Sequence, residues 1–158
     1  MPVLTLSEAA AGREALRASG QRLVLTNGVF DLLHVGHVEY LEQARALGGA
    51  LFVGVNGDDS ARQLKGEGRP FVPAGERARL IAALACVDAV ILFDELTAEH
   101  LLLTLRPDVY AKGGDYGAFP NKPLPERGAA ESVGATILLL PLVPDHSTTA
   151  LLARIRKA

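Results

Sequence analysis

Apolar and polar positions alternate along this chain in two rhythms that trade places from end to end. Short runs, apolar at nearly every position, stand between longer stretches in which apolar residues recur every three or four positions. The short runs read as buried strands: Arg22–Thr26 (RLVLT), Leu51–Val55 (LFVGV), Ala89–Phe93 (AVILF), Val109–Lys112 (VYAK) and Thr136–Leu140 (TILLL). The longer stretches read as helices. Ser7–Ser19 has Ser7 as a cap and Gly20 as a stop, and His37–Leu47 ends at Gly48-Gly49. Within the second, Tyr40, Leu41, Ala44 and Leu47 fall at helical spacing. Further helices are predicted near Asp58–Leu64 and over Ala74–Ala85, Thr97–Leu105, Pro125–Val133 and Thr148–Arg156. Lys65–Pro73 (KGEGRPFVP) and Tyr116–Pro125 read as loops.

Strands that are apolar throughout are buried on both faces, and strands alternating with helices pair in parallel through right-handed crossovers. The pattern therefore predicts an α/β architecture: one domain over residues 1–158, with a Rossmann-like, doubly wound parallel sheet of about five strands. Ligands of such sheets meet the C-terminal ends of the strands.

Composition narrows the classes. With 158 residues, 49% of them hydrophobic and 22% charged, the chain can bury a core without staples. A net charge of −2, from 16 Lys and Arg against 18 Asp and Glu, argues against a general nucleic-acid binder. No apolar run reaches the roughly 20 residues that a membrane helix needs. Met1–Leu6 is too short for a signal peptide and leads into an acidic helix start, so no membrane association and a cytoplasmic location are expected. A single cysteine, Cys86, excludes an intrachain disulfide framework.

Polar and glycine-rich segments follow the strands, and by the strand-end rule they converge on one crevice. Neither a GxxxxGK[ST] loop nor a GxGxxG after the first strand is present. In that place stands His34-Val35-Gly36-His37 at the mouth of a helix. Two imidazoles three residues apart can face one point. Gly36, lacking Cβ, would let a ligand approach the backbone, and the helix start adds unsatisfied N–H groups. Together these suit a phosphate whose charge grows in a transition state. Two other readings stand beside it. One is a helix-capping histidine. The other is a zinc site drawing on Cys86, His100, His146 or scattered carboxylates, at spacings that match no zinc signature. Ser147-Thr148-Thr149 opens the last helix, as a cap or as a grip on phosphate oxygens. Lys65, Arg69 and Arg77 are solvated cations or cations that reach over an anion, and Gly113-Gly114 is a tight turn or a backbone seat for a nucleoside.

Taken in order, TNGVFDLLHVGHVEYLEQA, VGVNGD, LKGEGRP, Glu76-Arg77, CVDAVILF, RPDVYAKGGDY and STT resemble the HxGH nucleotidyltransferases. Within them the chain is similar to the D-glycero-β-D-manno-heptose 1-phosphate adenylyltransferases, over about residues 5–156. The resemblance implies transfer of AMP from ATP to a sugar 1-phosphate, with Mg²⁺ arriving on ATP and no metal ligand in the chain. A separate heptose kinase would act upstream, and family habit points to a homodimer. His34, His37 and Lys65 would be catalytic. With the histidines, Thr26, Asn27, Gly28, Val29, Phe30, Arg77, Lys112, Gly113, Gly114, Asp115, Tyr116, Ser147, Thr148 and Thr149 would hold the nucleotide. Asp31, Asn56, Lys65 and Arg69 would face the sugar phosphate. The RYVDE and RTEGI segments of the related glycerol-3-phosphate cytidylyltransferases are replaced here by Ala85-Cys86-Val87-Asp88-Ala89 and Val143-Pro144-Asp145-His146. Val29 stands where the heptose enzymes commonly carry Cys. Two alternatives remain open: CMP or AMP transfer to another small phosphate such as glycerol 3-phosphate, and a non-catalytic nucleotide-binding module.

Overall fold

Each of the five apolar runs forms a strand, and a computed structural model describes residues 2–113, 116, 121–141 and 143–158. The chain runs β1 (Val3–Leu4), α1 (Leu6–Ala18), β2 (Leu23–Gly28), α2 (Val35–Arg45), β3 (Ala50–Asn56), α3 (Asp58–Lys65) and α4 (Ala74–Ala82). It continues with β4 (Ala89–Phe93), α5 (Glu99–Leu105), β5 (Val109–Lys112), α6 (Arg127–Ser132), β6 (Thr136–Leu139) and α7 (Thr148–Lys157). The helix starts show local chemistry at work. α1 is capped by Thr5 rather than Ser7: Glu8 N–H donates to Thr5 Oγ1 at 3.2 Å while Thr5 N–H donates to Glu8 Oε2 at 2.8 Å.

All six strands pair in parallel, in the order β1-β4-β3-β2-β5-β6. The sixth strand, beyond the five expected, is β1, where Val3 and Leu4 pair with Val90 and Ile91 at the sheet edge. A two-residue strand shows no periodicity, which is why the sequence pattern passes over it. From β2 the chain builds outward to β3 and β4, then returns to place β5 on the other side of β2. The β2/β5 seam is thus the point where winding reverses and where a crevice opens.

Helices cover both faces, as strands buried on both sides require. On one face Leu23, Leu25, Phe52, Ile91 and Phe93 pack with Ala9, Leu101, Leu102, Leu105 and Ala130. On the other, Val24, Leu51, Val53 and Val90 pack with Leu41, Ala44, Ala78 and Ile81. Each fully buried aliphatic side chain contributes about 1.5–3 kcal/mol. α7 buries none of its side chains. Among the described residues no helix is long and apolar enough to cross a membrane.

Candidate active site

β2 leaves the sheet at Gly28, and the chain turns through Phe30, whose φ of +50° is left-handed. That conformation costs a non-glycine residue roughly 1–2 kcal/mol. Here it places the Phe30 ring edge-on to His37, with centroids 5.6 Å apart. His34 is the N-cap of α2 and His37 its third residue. Their rings stack with centroids 4.0 Å apart and planes 29° apart. The His34 backbone N–H points at His37 Nδ1 at 3.4 Å. Nδ1 is then an acceptor, so the neutral ring carries its proton on Nε2. Burial pushes the His37 imidazole down to about 4, and the charges of His34 and Lys65 push the same way. His34 is lowered too, by burial and then by His146. Near neutral pH the pair therefore offers an N–H donor without charge, beside the free N–H groups of a helix start.

Gly36 has a different role from the one expected. A Cβ there would lie 2.9 Å from His146 Cβ and 3.0 Å from His34 Nδ1. The glycine admits the chain's own closing loop. His34 Nδ1, beneath that contact, is buried without a hydrogen-bond partner.

The β2/β5 seam forms the adjoining wall. Tyr40 donates to the Ala111 carbonyl at 3.1 Å, so at its 2.6 Å contact with Thr26 the threonine hydroxyl is the donor. Asn27 Oδ1 accepts from the Tyr110 hydroxyl at 2.7 Å and from Lys112 Nζ at 3.3 Å. Burial lowers the Lys112 ammonium; Glu126 opposes this, while Lys122 and Lys65 act in the same direction as burial. Lys112 Nζ lies 5.2 Å from the centre of the Tyr116 ring. Gly113 is pressed against Tyr40, whose ring would stand 2.5 Å from an added Cβ. Gly114 and Asp115, both assigned to the nucleotide, lie outside the described residues. Lys65 is the last residue of α3 rather than a loop residue, and it is exposed; its charge reaches both His37 and Lys112. Ser147 caps α7, accepting from Ala150 N–H at 3.0 Å, so its hydroxyl already has a partner. Thr148 and Thr149 form the first turn of that helix.

Five residues expected at the ligand have partners within the protein. Arg77 is fully buried, and its guanidinium donates to the Val72 and Val29 carbonyls and to Asp58 Oδ1. Asp31 is 4% exposed and accepts from Arg69 Nε at 2.6 Å and from the Phe71 and Val72 N–H groups. Burial works against its ionisation, but these bonds outweigh it and hold the carboxyl below its ordinary value. Arg69 is thereby occupied as well. Asn56 is 2% exposed and donates to Ser60 Oγ and the Glu95 carbonyl. Val29 is buried, with its carbonyl taken by Arg77. A recess of about 310 Å³ opens beside Asp58, Arg62, Gly68 and Arg69. A larger one, of about 500 Å³, lies by Leu92, Glu95 and His100 and contains none of the histidine-turn residues. Its lining combines Leu6, Phe93 and Leu101 with Asp94. Among the described residues no group of three or more His, Cys, Asp or Glu side chains is disposed to hold a metal ion.

Tyr40, Tyr110 and His146 join the site without having been assigned to it from sequence. Tyr40 reads as a core residue at helical spacing. The signal for His146 is its place directly before Ser147.

The Cytidylyltransferase-like family profile matches residues 25–151. A Bifunctional protein HldE of Streptomyces coelicolor is 52% identical over 139 residues, 88% of this chain and 29% of that protein. The HldE of Geotalea uraniireducens is 47% identical over 98% of this chain and 31% of its own length. The chain thus spans less than a third of these curated relatives. The solved lipopolysaccharide core biosynthesis protein from Thermoplasma volcanium superposes with a TM-score of 0.63 at 29% identity, covering 78% of this chain and 98% of that one. Pantothenate synthetase from Thermus thermophilus shares the fold, with a TM-score of 0.60 at 18% identity over 90% of this chain and 62% of that one. A paired-histidine turn at the reversal point of a parallel sheet, inside a profile match that covers most of the sequence, shows that the chain belongs to the cytidylyltransferase-like family and is a nucleotidyltransferase.

Proposed function

We propose that this nucleotidyltransferase moves AMP from ATP to D-glycero-β-D-manno-heptose 1-phosphate, giving ADP-heptose and pyrophosphate. The observation that carries the reading is the stacked, neutral His34–His37 pair at the start of α2, with the Lys65 charge beside it. The ordered motifs from TNGVFDLLHVGH to STT, and relatives 46–52% identical named HldE, support the sugar-phosphate acceptor.

A phosphate oxygen of the sugar attacks the α-phosphorus in line. The bond to the β-phosphate breaks, and pyrophosphate leaves with its electron pair. The nucleophile is ionised already, since a phosphate monoester loses its second proton near about pH 6. No strong base is needed, and an imidazole held near 4 would be a poor one. His37 instead donates Nε2–H to the oxygen on which charge grows, with His34 beside it. Lys65 offsets repulsion between the two anions. Asn27, Gly28, Phe30 and the start of α7 cradle phosphates, and Lys112 to Tyr116 seat the nucleoside. Mg²⁺ would arrive on ATP, with substrate phosphates and water as its ligands, and would add to the neutralisation of phosphate charge. The same reading includes a heptose kinase that supplies the acceptor, a cytoplasmic site of action and a homodimer.

The cytidylyltransferase-like profile favours a second reading, in which CTP is the donor. One experiment separates them. The purified protein is given Mg²⁺ with ATP or CTP and heptose 1-phosphate or glycerol 3-phosphate, and the product is identified by mass. ADP-heptose is expected. A higher kcat/KM with CTP overturns the donor assignment.

A further inference from the structure

We propose that His146 is a third anion-binding imidazole of this site, meeting the nucleotide's phosphates from the loop that leads into α7. The inference rests on the nucleotidyltransferase reading of the site.

Three observations converge on it. The first is position. His146 Cβ packs where a side chain on Gly36 would be, so the residue stands directly on the first turn of α2. It also immediately precedes Ser147, the cap of α7. His146 is therefore where the starts of two helices meet, each presenting N–H groups without intrahelical acceptors. The second is charge. The protonated form of His34 is disfavoured first by burial and then by His146. A bound anion near both rings acts in the opposite direction and favours their protonated forms. The third is the ring's own bonding. His146 Nδ1 lies 2.6 Å from the Pro144 carbonyl, which can only accept. Nδ1 thus carries a proton, and Nε2 is the nitrogen left to meet a ligand. Asp145, with φ of +60°, makes the turn that holds this arrangement, and His146 remains exposed within it.

The bland alternative is that His146 only packs against Gly36. Alanine keeps the Cβ that makes that contact, so His146→Ala separates the two roles. The protein's affinity for ATP and for inorganic tripolyphosphate is measured by calorimetry, together with KM for ATP and kcat. In His146→Ala both affinities are expected to fall about ten-fold to a hundred-fold, the range for losing a hydrogen bond to a charged group. KM for ATP rises correspondingly, while kcat stays within about three-fold. His146→Gln, whose amide reaches towards the Nε2 position, recovers much of the loss, and His146→Leu does not. Unchanged affinity in His146→Ala overturns the inference and leaves the reading of the site intact. So does equal behaviour of the Leu and Gln variants, which also decides the matter if the alanine variant folds poorly. If the parent protein binds neither ATP nor tripolyphosphate, the reading of the site fails and this inference with it.

Discussion

His37 lies against two rings, Phe30 at its edge and His34 on its face, and its protonated form is correspondingly disfavoured. This has a consequence for stability. In the unfolded chain the imidazole titrates near its ordinary 6.5, in the folded chain near 4. Between those values the unfolded state binds more protons, so stability falls as pH drops through this window and levels off below it. The loss is on the order of 3 kcal/mol, and His34 adds to it in the same direction. Urea denaturation at pH 7 and pH 5 should show a smaller acid loss in His37→Gln than in the parent. Equal losses would mean that the ring is not held neutral. In catalysis, His37→Ala should lower kcat about 10²–10³-fold while leaving ATP affinity nearly intact, because the charge it meets appears only as pyrophosphate departs. Steady-state kinetics beside ATP calorimetry measure both, and a near-normal kcat returns the histidine pair to helix capping.

The later part of the segment between α3 and α4 is tied down by Asp31 and Arg77. Asp31 gathers Arg69 and two backbone N–H groups from residues 71 and 72. Arg77 holds Val72 and Val29 together, and Asp58 accepts from both Arg77 and the Ala74 N–H at the start of α4. The same segment begins at Lys65, which is exposed. The two cations should therefore respond in opposite ways to removal. Arg77→Met strands the buried Val29 carbonyl and the half-buried Val72 carbonyl and should cost about 2–4 kcal/mol of unfolding free energy, with faster proteolysis of residues 66–73. Lys65→Ala should leave the denaturation midpoint unchanged and reduce turnover strongly. Normal kinetics in Lys65→Ala would make it a solvated surface charge.

Across the whole molecule, one contact joins the first turn of α2 to the closing loop, between residues far apart in sequence. Gly36→Ala places a methyl group 2.9 Å from His146 Cβ, where neither backbone can yield cheaply. α7 buries no side chain, so little else holds it. Hydrogen exchange in residues 143–157 should rise sharply in this variant, while the β2, β3 and β4 amides keep their protection. Unchanged exchange at the C-terminus would show that α7 is held elsewhere.

The sequence alone determined the layers and the motifs that follow the strands. Strands buried on both faces are mostly apolar, so β2, β3, β4 and β5 stood out as runs, as did β6, which proves to be a half-buried edge strand; the histidine turn and STT were legible because each sits at a helix start after a strand. Only the tertiary structure decided which polar residues are free to meet a ligand. Arg77, Arg69, Asp31 and Asn56 follow strands just as Lys65 does, yet their partners are carbonyls, N–H groups and side chains supplied largely by other segments of the fold. A cation near a crevice reads the same in one dimension whether its acceptor is a phosphate or the chain itself. The two-residue β1, the depressed basicity of His37 and the approach of His146 to Gly36 depend in the same way on neighbours that only folding brings within reach.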